Sequence, residues 1–225
     1  MPGGVLLMPR LHPFVAGSFP AIELRATAKF LDSDSMSGSM NGFAGSFTGS
    51  FTGGSAGGFT GGLALSFSLV GDIAALILPA PTASEASGER RDHLWQSTCW
   101  ECFLVAAHTS SSPGYFEINL SPAHHWNVYH FTDYRQGMTS VPVPPPSFYS
   151  RRQDDFYQLD ALITGLPLAT DAAGFADLAS LANWRLGLAA VLATTDGGTG
   201  YLALTHPGTK PDFHHPDGFI FKLTL

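Results

Sequence analysis

Five glutamates occur in the sequence, and two of them, Glu101 and Glu117, stand inside segments of alternating polar and apolar character rich in aromatic residues. A charge in such a place costs several kcal/mol, as a rough figure, unless it is paired or wet. Read as one strand, residues 94–105 put Trp95, Ser97, Cys99, Glu101 and Phe103 on one face and Gln96, Thr98, Trp100, Cys102 and Leu104 on the other. In residues 115–121, Tyr115, Glu117, Asn119 and Ser121 oppose Phe116, Ile118 and Leu120. If the two strands pair, Glu101, Glu117 and Asn119 share a sheet face. Tyr129 and Arg135 follow shortly and could add a hydroxyl and a guanidinium. Sugar sites use such a set: carboxylates and amides hold hydroxyls, and flat rings cover apolar C–H faces. Trp95 and Trp126 are the candidate rings. The competing reading is structural, with Glu101 paired to Arg135 or Arg185.

Other chemistry has weaker support in the residues. Two carboxylates can hydrolyse a glycoside when they flank the bond at a set separation, and no spacing here fixes that separation. A second candidate loop runs over residues 206–217 and carries His206, Lys210, Asp212, His214, His215 and Asp217. Histidines and carboxylates together can bind a metal. Pro211-Asp212 and Pro216-Asp217-Gly218 are also ordinary turn sequences, and the favoured reading is a rigid loop closing one end of the fold. Cys99 and Cys102 have redox or zinc spacing, but three apart on a strand their sulfurs diverge, and no second Cys pair completes a zinc site. Haem would need an axial pair such as Met138 with one histidine. No nucleophile elbow, phosphate loop or dinucleotide fingerprint is present. The expectation is a non-enzymatic binding protein without a cofactor.

The elements that must position these residues read as strands. Residues 22–30, 63–69, 115–121, 184–192 and 219–225 alternate with period two. In the last, Phe219, Phe221, Leu223 and Leu225 form the apolar face. One short helix fits 171–181, where Phe175, Leu178 and Leu181 recur at helical spacing. Residues 79–91 are a polar loop. Residues 141–147 contain Pro142 and Pro144-Pro145-Pro146 and read as a stiff extended linker. Residues 37–62 repeat Gly-Ser-Phe-Thr, inside a run from 35 to 71 that carries no charge, and read as an expanded low-complexity loop between two strands. Several strands with irregular loops and no βαβ alternation predict one all-β domain, an antiparallel two-sheet β-sandwich.

Composition narrows the partners. The 225 residues carry a net charge of −7, with 11 basic residues scattered along the chain, which argues against nucleic acid. No stretch approaches the roughly 18 apolar residues that span a bilayer. The patch Val5-Leu6-Leu7-Met8 is too short for a signal segment, so a cytoplasmic protein is expected. A carbohydrate or other small molecule is the expected partner.

Three blocks are more specific than periodicity. They are Leu94-Trp95-Gln96-Ser97-Thr98-Cys99-Trp100-Glu101-Cys102-Phe103-Leu104; Glu117-Ile118-Asn119-Leu120-Ser121-Pro122 followed by Trp126-Asn127-Val128-Tyr129 and Tyr134-Arg135-Gln136-Gly137-Met138; and His206-Pro207-Gly208-Thr209-Lys210-Pro211-Asp212-Phe213-His214-His215-Pro216-Asp217-Gly218-Phe219. In order and content the chain resembles bacterial DOMON-like proteins, which are related to family 9 carbohydrate-binding modules. The resemblance covers about 63–225. Cys102 and the glycine-rich tract depart from it. It implies an antiparallel two-sheet sandwich, of jelly-roll or immunoglobulin-like kind, with a ligand cleft on one face. Relatives bind sugars and others hold haem.

The glycine-rich tract gives a first prediction. Loop closure cost grows slowly with length. Replacing 37–62 by a short turn should leave the melting temperature within about a few degrees of the parent. Loss of soluble protein on that replacement would place its phenylalanines in the core.

Overall fold

In the computed structural model of the chain, residues 8–15, 19–31, 61–81, 88–106, 114–168 and 184–222 are described. Their strands are β1 Arg10–Pro13, β2 Ile22–Leu31, β3 Gly62–Gly71, β4 Cys99–Ala106, β5 Tyr115–Leu120 and β6 Trp126–Phe131. The second half adds β7 Thr139–Ser140, β8 Ser147–Gln153, β9 Phe156–Thr164, β10 Trp184–Ala193, β11 Thr199–Ala203 and β12 Phe221–Lys222. Among the described residues there is no α-helix, only the one-turn 3-10 segments Ile73–Ala75, Leu94–Gln96 and Pro216–Gly218. None of their helices is long and apolar enough to cross a membrane. The helix expected at 171–181, most of the tract 37–62, part of the loop 79–91 and residues 223–225 lie outside the described residues.

Ladder pairing draws one strongly curled antiparallel sheet in the order β7-β6-β5-β4-β10-β11-β1-β2-β3-β9-β8, with β12 beside β10. The expected arrangement was two separate sheets. The link between the two wings is β1, four residues whose pairing is split. Arg10 and Leu11 oppose Arg25 and Leu24 of β2, while His12 and Pro13 oppose Ala203 and Leu202 of β11. Leu11 is buried at this crossing and ties β1 to the core.

Alternation sets the core as expected. Leu24, Ala26, Ala28 and Phe30 of β2, Leu63, Leu65, Phe67 and Leu69 of β3, and Leu159, Ala161 and Ile163 of β9 point inward from one wing. Trp100, Cys102 and Leu104 of β4, Phe116, Ile118 and Leu120 of β5, and Leu186, Leu188, Ala190 and Leu192 of β10 meet them from the other. Trp100 stacks on Tyr157 at 5.4 Å and lies 6.2 Å from Phe67, so rings from both wings interlock. Cys102 faces this core. Cys99 is on the opposite side, where its thiol donates to Asn119 Oδ1 at 3.6 Å. The sulfurs diverge as the strand reading predicts, and both cysteines are free and buried.

Two segments differ from expectation. Residues 94–105 are not one strand: His93 adopts a left-handed backbone with φ of 61°, Leu94–Gln96 make a 3-10 turn, and β4 begins at Cys99. Phe219 and Phe221 do not share a face. Phe219 belongs to a second aromatic cluster, and Phe221 packs on the main core. Gly187 makes room for Phe219, since a Cβ there would stand 2.8 Å from its ring.

The proline-rich segment is flush with the molecule. Val141 and Val143 are buried in the main core. Arg90 binds the carbonyl oxygens of Val141 and Val143 at 2.9 and 3.3 Å, and its guanidinium lies 4.2 Å from the Trp126 ring centroid. It also donates to Asn127 Oδ1 and Ser140 Oγ at 2.9 and 2.8 Å. A planar fork makes these bonds together, and an ammonium cannot. Arg90→Lys should therefore lower stability by about 1–2 kcal/mol, measured by urea unfolding, although the charge is kept. Equal stability of the two proteins would show that the latch contributes nothing.

Candidate functional site

The wing of β4, β5, β6 and β10 is buried on both faces. The main core covers one. On the other, Phe103, Tyr115, Tyr129, Phe131, Ala189, Ala203 and Phe219 form the second cluster, with Trp95 and Phe213 packed against it. The segment from His206 to Phe219 returns across this face. Strand parity places Glu101 and Glu117 under it. Glu101 opposes Asn119 and Glu117 opposes Phe103, so the two carboxyls are diagonal neighbours on adjacent strands.

A cavity of about 430 Å³ lies between face and segment, lined by Trp95, Glu101, Glu117, Phe131, Arg135 and Met138 together with Val191, Tyr201, Pro211, Phe213 and His214. Both glutamates are only 4% exposed and form its floor. Its rim is open to water at Met138, 48% exposed, and Tyr201, 39% exposed. Glu101 Oε1 is buried with no hydrogen-bond partner. Glu117 Oε1 accepts from Asn119 Nδ2 at 2.7 Å, and its Oε2 lies 3.7 Å from His214 Nε2.

Arg135 does not neutralise Glu101 by direct contact. Its Nη2 donates to Asp212 Oδ1 at 2.9 Å, and Tyr134 donates its hydroxyl to the other oxygen of Asp212. This pair fastens the returning segment to the turn after β6. In that turn Arg135 has a left-handed backbone with φ of 53°, and Gly137 follows at 65°. A Cβ on Gly137 would meet Thr132 Oγ1 at 2.2 Å. Arg135 N donates to the Tyr115 hydroxyl at 3.2 Å, and that hydroxyl is 2.7 Å from His214 Nδ1. All three groups are satisfied when Tyr115 donates to Nδ1, which leaves the ring proton on Nε2 facing Glu117.

Burial governs the charges. Desolvation, followed by repulsion from Glu117, pushes the Glu101 carboxyl well above the usual carboxylate range. Glu117 is raised to about 7 by desolvation, against the pull of Asn119 and Arg135. His214 is held down to about 4 by burial and by the Arg135 charge, so its approach to Glu117 is not an ion pair at neutral pH. Asp212 stays below the ordinary carboxylate value: burial acts to raise it, and the bonds from Tyr134 and Arg135 outweigh that.

Most residues expected from the sequence meet here, though not all. Trp95, Glu101, Glu117 and Arg135 line the cavity. Asn119 sits behind it, holding Glu117. Tyr129 is 2% exposed, donates its hydroxyl to Asp92 at 2.7 Å and supports Trp95 ring-to-edge at 6.0 Å. Trp126 is a correction. It points into the main core, three residues from Tyr129 and so on the other face, and its ring cannot reach a ligand in this cavity. Arg185, offered as a partner for Glu101, opposes Val105, whereas Glu101 opposes Ala189.

The second candidate loop is part of the same site. Asp212 and His214 belong to it. His206 instead bonds the His12 carbonyl at 2.8 Å, His215 caps the turn at Pro216–Gly218 by accepting from Asp217 N at 3.2 Å, and Lys210 is exposed outside the cavity. Among the described residues no group of three His, Cys, Asp or Glu side chains is arranged to hold a metal. Haem does not fit the residues present, although Met138 and His214 share the cavity. One ring nitrogen of His214 is engaged by Tyr115 and the other faces a carboxyl. Phe131, Tyr201 and Phe213 are wall residues the sequence reading did not select. Phe131 had a usable signal, because it shares parity with Tyr129.

A scan of protein-family models finds none that matches the chain, and a search of curated proteins finds no match. Among solved structures, the chain resembles a candidate carbohydrate-binding protein from Bacteroides uniformis. That likeness has 11% sequence identity and a TM-score of 0.46, over 95% of this chain and 83% of that one. At that distance it carries no inference about ligand.

The raised carboxyls have a measurable consequence. An acid whose folded pKa is raised takes up a proton on folding; its contribution is full below the unfolded carboxylate range and is lost as pH rises through the folded pKa. His214 works oppositely, adding stability as pH rises from about 4 to the ordinary histidine value of 6.5. The two oppose each other at acid pH, so the carboxyl pair stands clear only above that range. Melting temperature should fall between about pH 6.5 and 8. Glu101→Gln should melt higher than the parent near pH 8, with the gap closing toward about pH 5. A Glu101→Gln gap independent of pH would mean that Glu101 is ionised throughout.

Proposed function

We propose that the protein is a non-enzymatic binding module that takes a carbohydrate-like ligand in this cavity, in the manner of the DOMON-like and family 9 carbohydrate-binding modules its sequence resembles. One observation carries the reading: a cavity of about 430 Å³ combines two buried carboxyls on its floor with aromatic rings on its walls. Carboxyl oxygens and the Arg135 guanidinium offer directional partners to ring hydroxyls. Trp95, Phe131, Tyr201 and Phe213 offer apolar surface to C–H faces. Small-ligand sites are of this size and mixture. A two-sheet sandwich is the finer reading of the fold on the same resemblance, with β1 as the strand that joins the sheets.

Trp95 is the reporter. It lines the cavity while Trp100, Trp126 and Trp184 are buried in the main core. A panel of mono- and disaccharides titrated against intrinsic fluorescence should find a ligand that quenches Trp95. Trp95→Ala should weaken that ligand by about tenfold by calorimetry, a loss of roughly 1.4 kcal/mol of stacking and apolar contact. Trp126→Phe should keep the affinity. Retained affinity in Trp95→Ala would move binding out of this cavity.

A further inference from the structure

The floor of the cavity has more acidic side chains than its surroundings have cations to pair with. Glu101, Glu117 and Asp212 are the acidic residues of the site, and Arg135 is its cation. Arg135 is committed to Asp212, and its side chain is half exposed at the rim. His214 is neutral, and the Tyr115 hydroxyl is bonded to it. The Cys99 thiol, from the same face, is held protonated by burial. Two carboxyls therefore remain on the floor, and Glu101 Oε1 has no hydrogen-bond partner although buried. An unpaired buried acceptor is costly, and its cost falls when a donor arrives. Rings of Trp95, Phe131, Tyr201 and Phe213 line the same cavity. Ring faces attract cations and give neutral hydroxyls no comparable gain.

We propose that the ligand presents a protonated amine to Glu101 and Glu117, as an amino sugar does. This rests on the carbohydrate reading and narrows it. A neutral sugar can fill the cavity but leaves the two carboxyls to repel each other, so they retain a proton. An ammonium group supplies N–H donors to the Glu101 carboxyl, which lines the cavity, and to the free oxygen of Glu117, and its charge lets both ionise. The proton held by the pair passes to solvent as the amine binds. Binding therefore releases protons and weakens as pH falls and the carboxyls take up protons again.

The test is calorimetry of the full chain at about pH 7 with glucosamine, glucose, N-acetylglucosamine and methylammonium, repeated in two buffers of different ionisation heat. Expected are at least about tenfold tighter binding of glucosamine than of glucose or N-acetylglucosamine, and proton release that approaches one per site. In Glu101→Gln the preference for glucosamine over glucose should collapse. Circular dichroism of that variant establishes that it is folded, and Glu117→Gln is the second variant should it not be. Equal binding of glucosamine and the two neutral sugars overturns the inference and leaves the carbohydrate reading intact. Methylammonium binding with no sugar bound upholds recognition of a protonated amine and removes the carbohydrate reading. No binding of either cation overturns the inference, as does a preference that survives in both glutamine variants.

Discussion

The register of β4 against β5 is the constraint on which the rest of the molecule depends. With Glu101 opposite Asn119 and Phe103 opposite Glu117, every apolar member of the two strands serves one of two clusters, and both carboxyls come to the cavity side. A slip of β4 by one residue would turn its two faces over. Trp100 would leave its stack on Tyr157, and a charge would enter a core built from both wings. The register is held because each face has large rings to bury and the two faces cannot be exchanged.

A sheet covered on both sides creates the chemistry of the site. Had β4 and β5 turned their second face to water, Glu101 and Glu117 would be ordinary surface acids. The segment from His206 to Phe219 covers that face, secured at one end by Asp212 on Arg135 and Tyr134, and at the other by Phe219 beside Gly187. Burial then raises both carboxyls and lowers His214. Strain is placed nearby as well: His93 before Trp95, and Arg135 itself, adopt left-handed backbone that ordinary residues avoid. Trp95 and Arg135 line the cavity beside these two turns.

Alternation made the strands and the shared face of Glu101, Glu117 and Asn119 legible in the sequence, because period two is a local property. Trp126 shows where that logic was not carried through. Tyr129 is three residues away, so the two could not serve one face, and Val128 already marked the parity of the core. The union of the acidic face with the 206–217 loop was not legible. Arg135 and Asp212 are 77 residues apart, and nothing local in either segment names the other. The single curled sheet was hidden for a similar reason: β1 is four residues long and divides its pairing between two partners, which no periodicity announces.

The proline stretch has a further consequence, for association between molecules. Among the described residues the sheet order ends at β7 on one side and β8 on the other, and bare outer strands recruit other chains. Here β7 is only two residues long, and Pro142, Pro144, Pro145 and Pro146 follow it without amide hydrogens to offer. On the other border, β8 carries exposed Arg151 and Arg152, whose charges repel a second copy laid alongside in register. The segment that joins the two borders thus also blunts one of them. A protein so rich in strand, with only 13% charged residues, resists edge-to-edge growth by how its borders end rather than by overall charge.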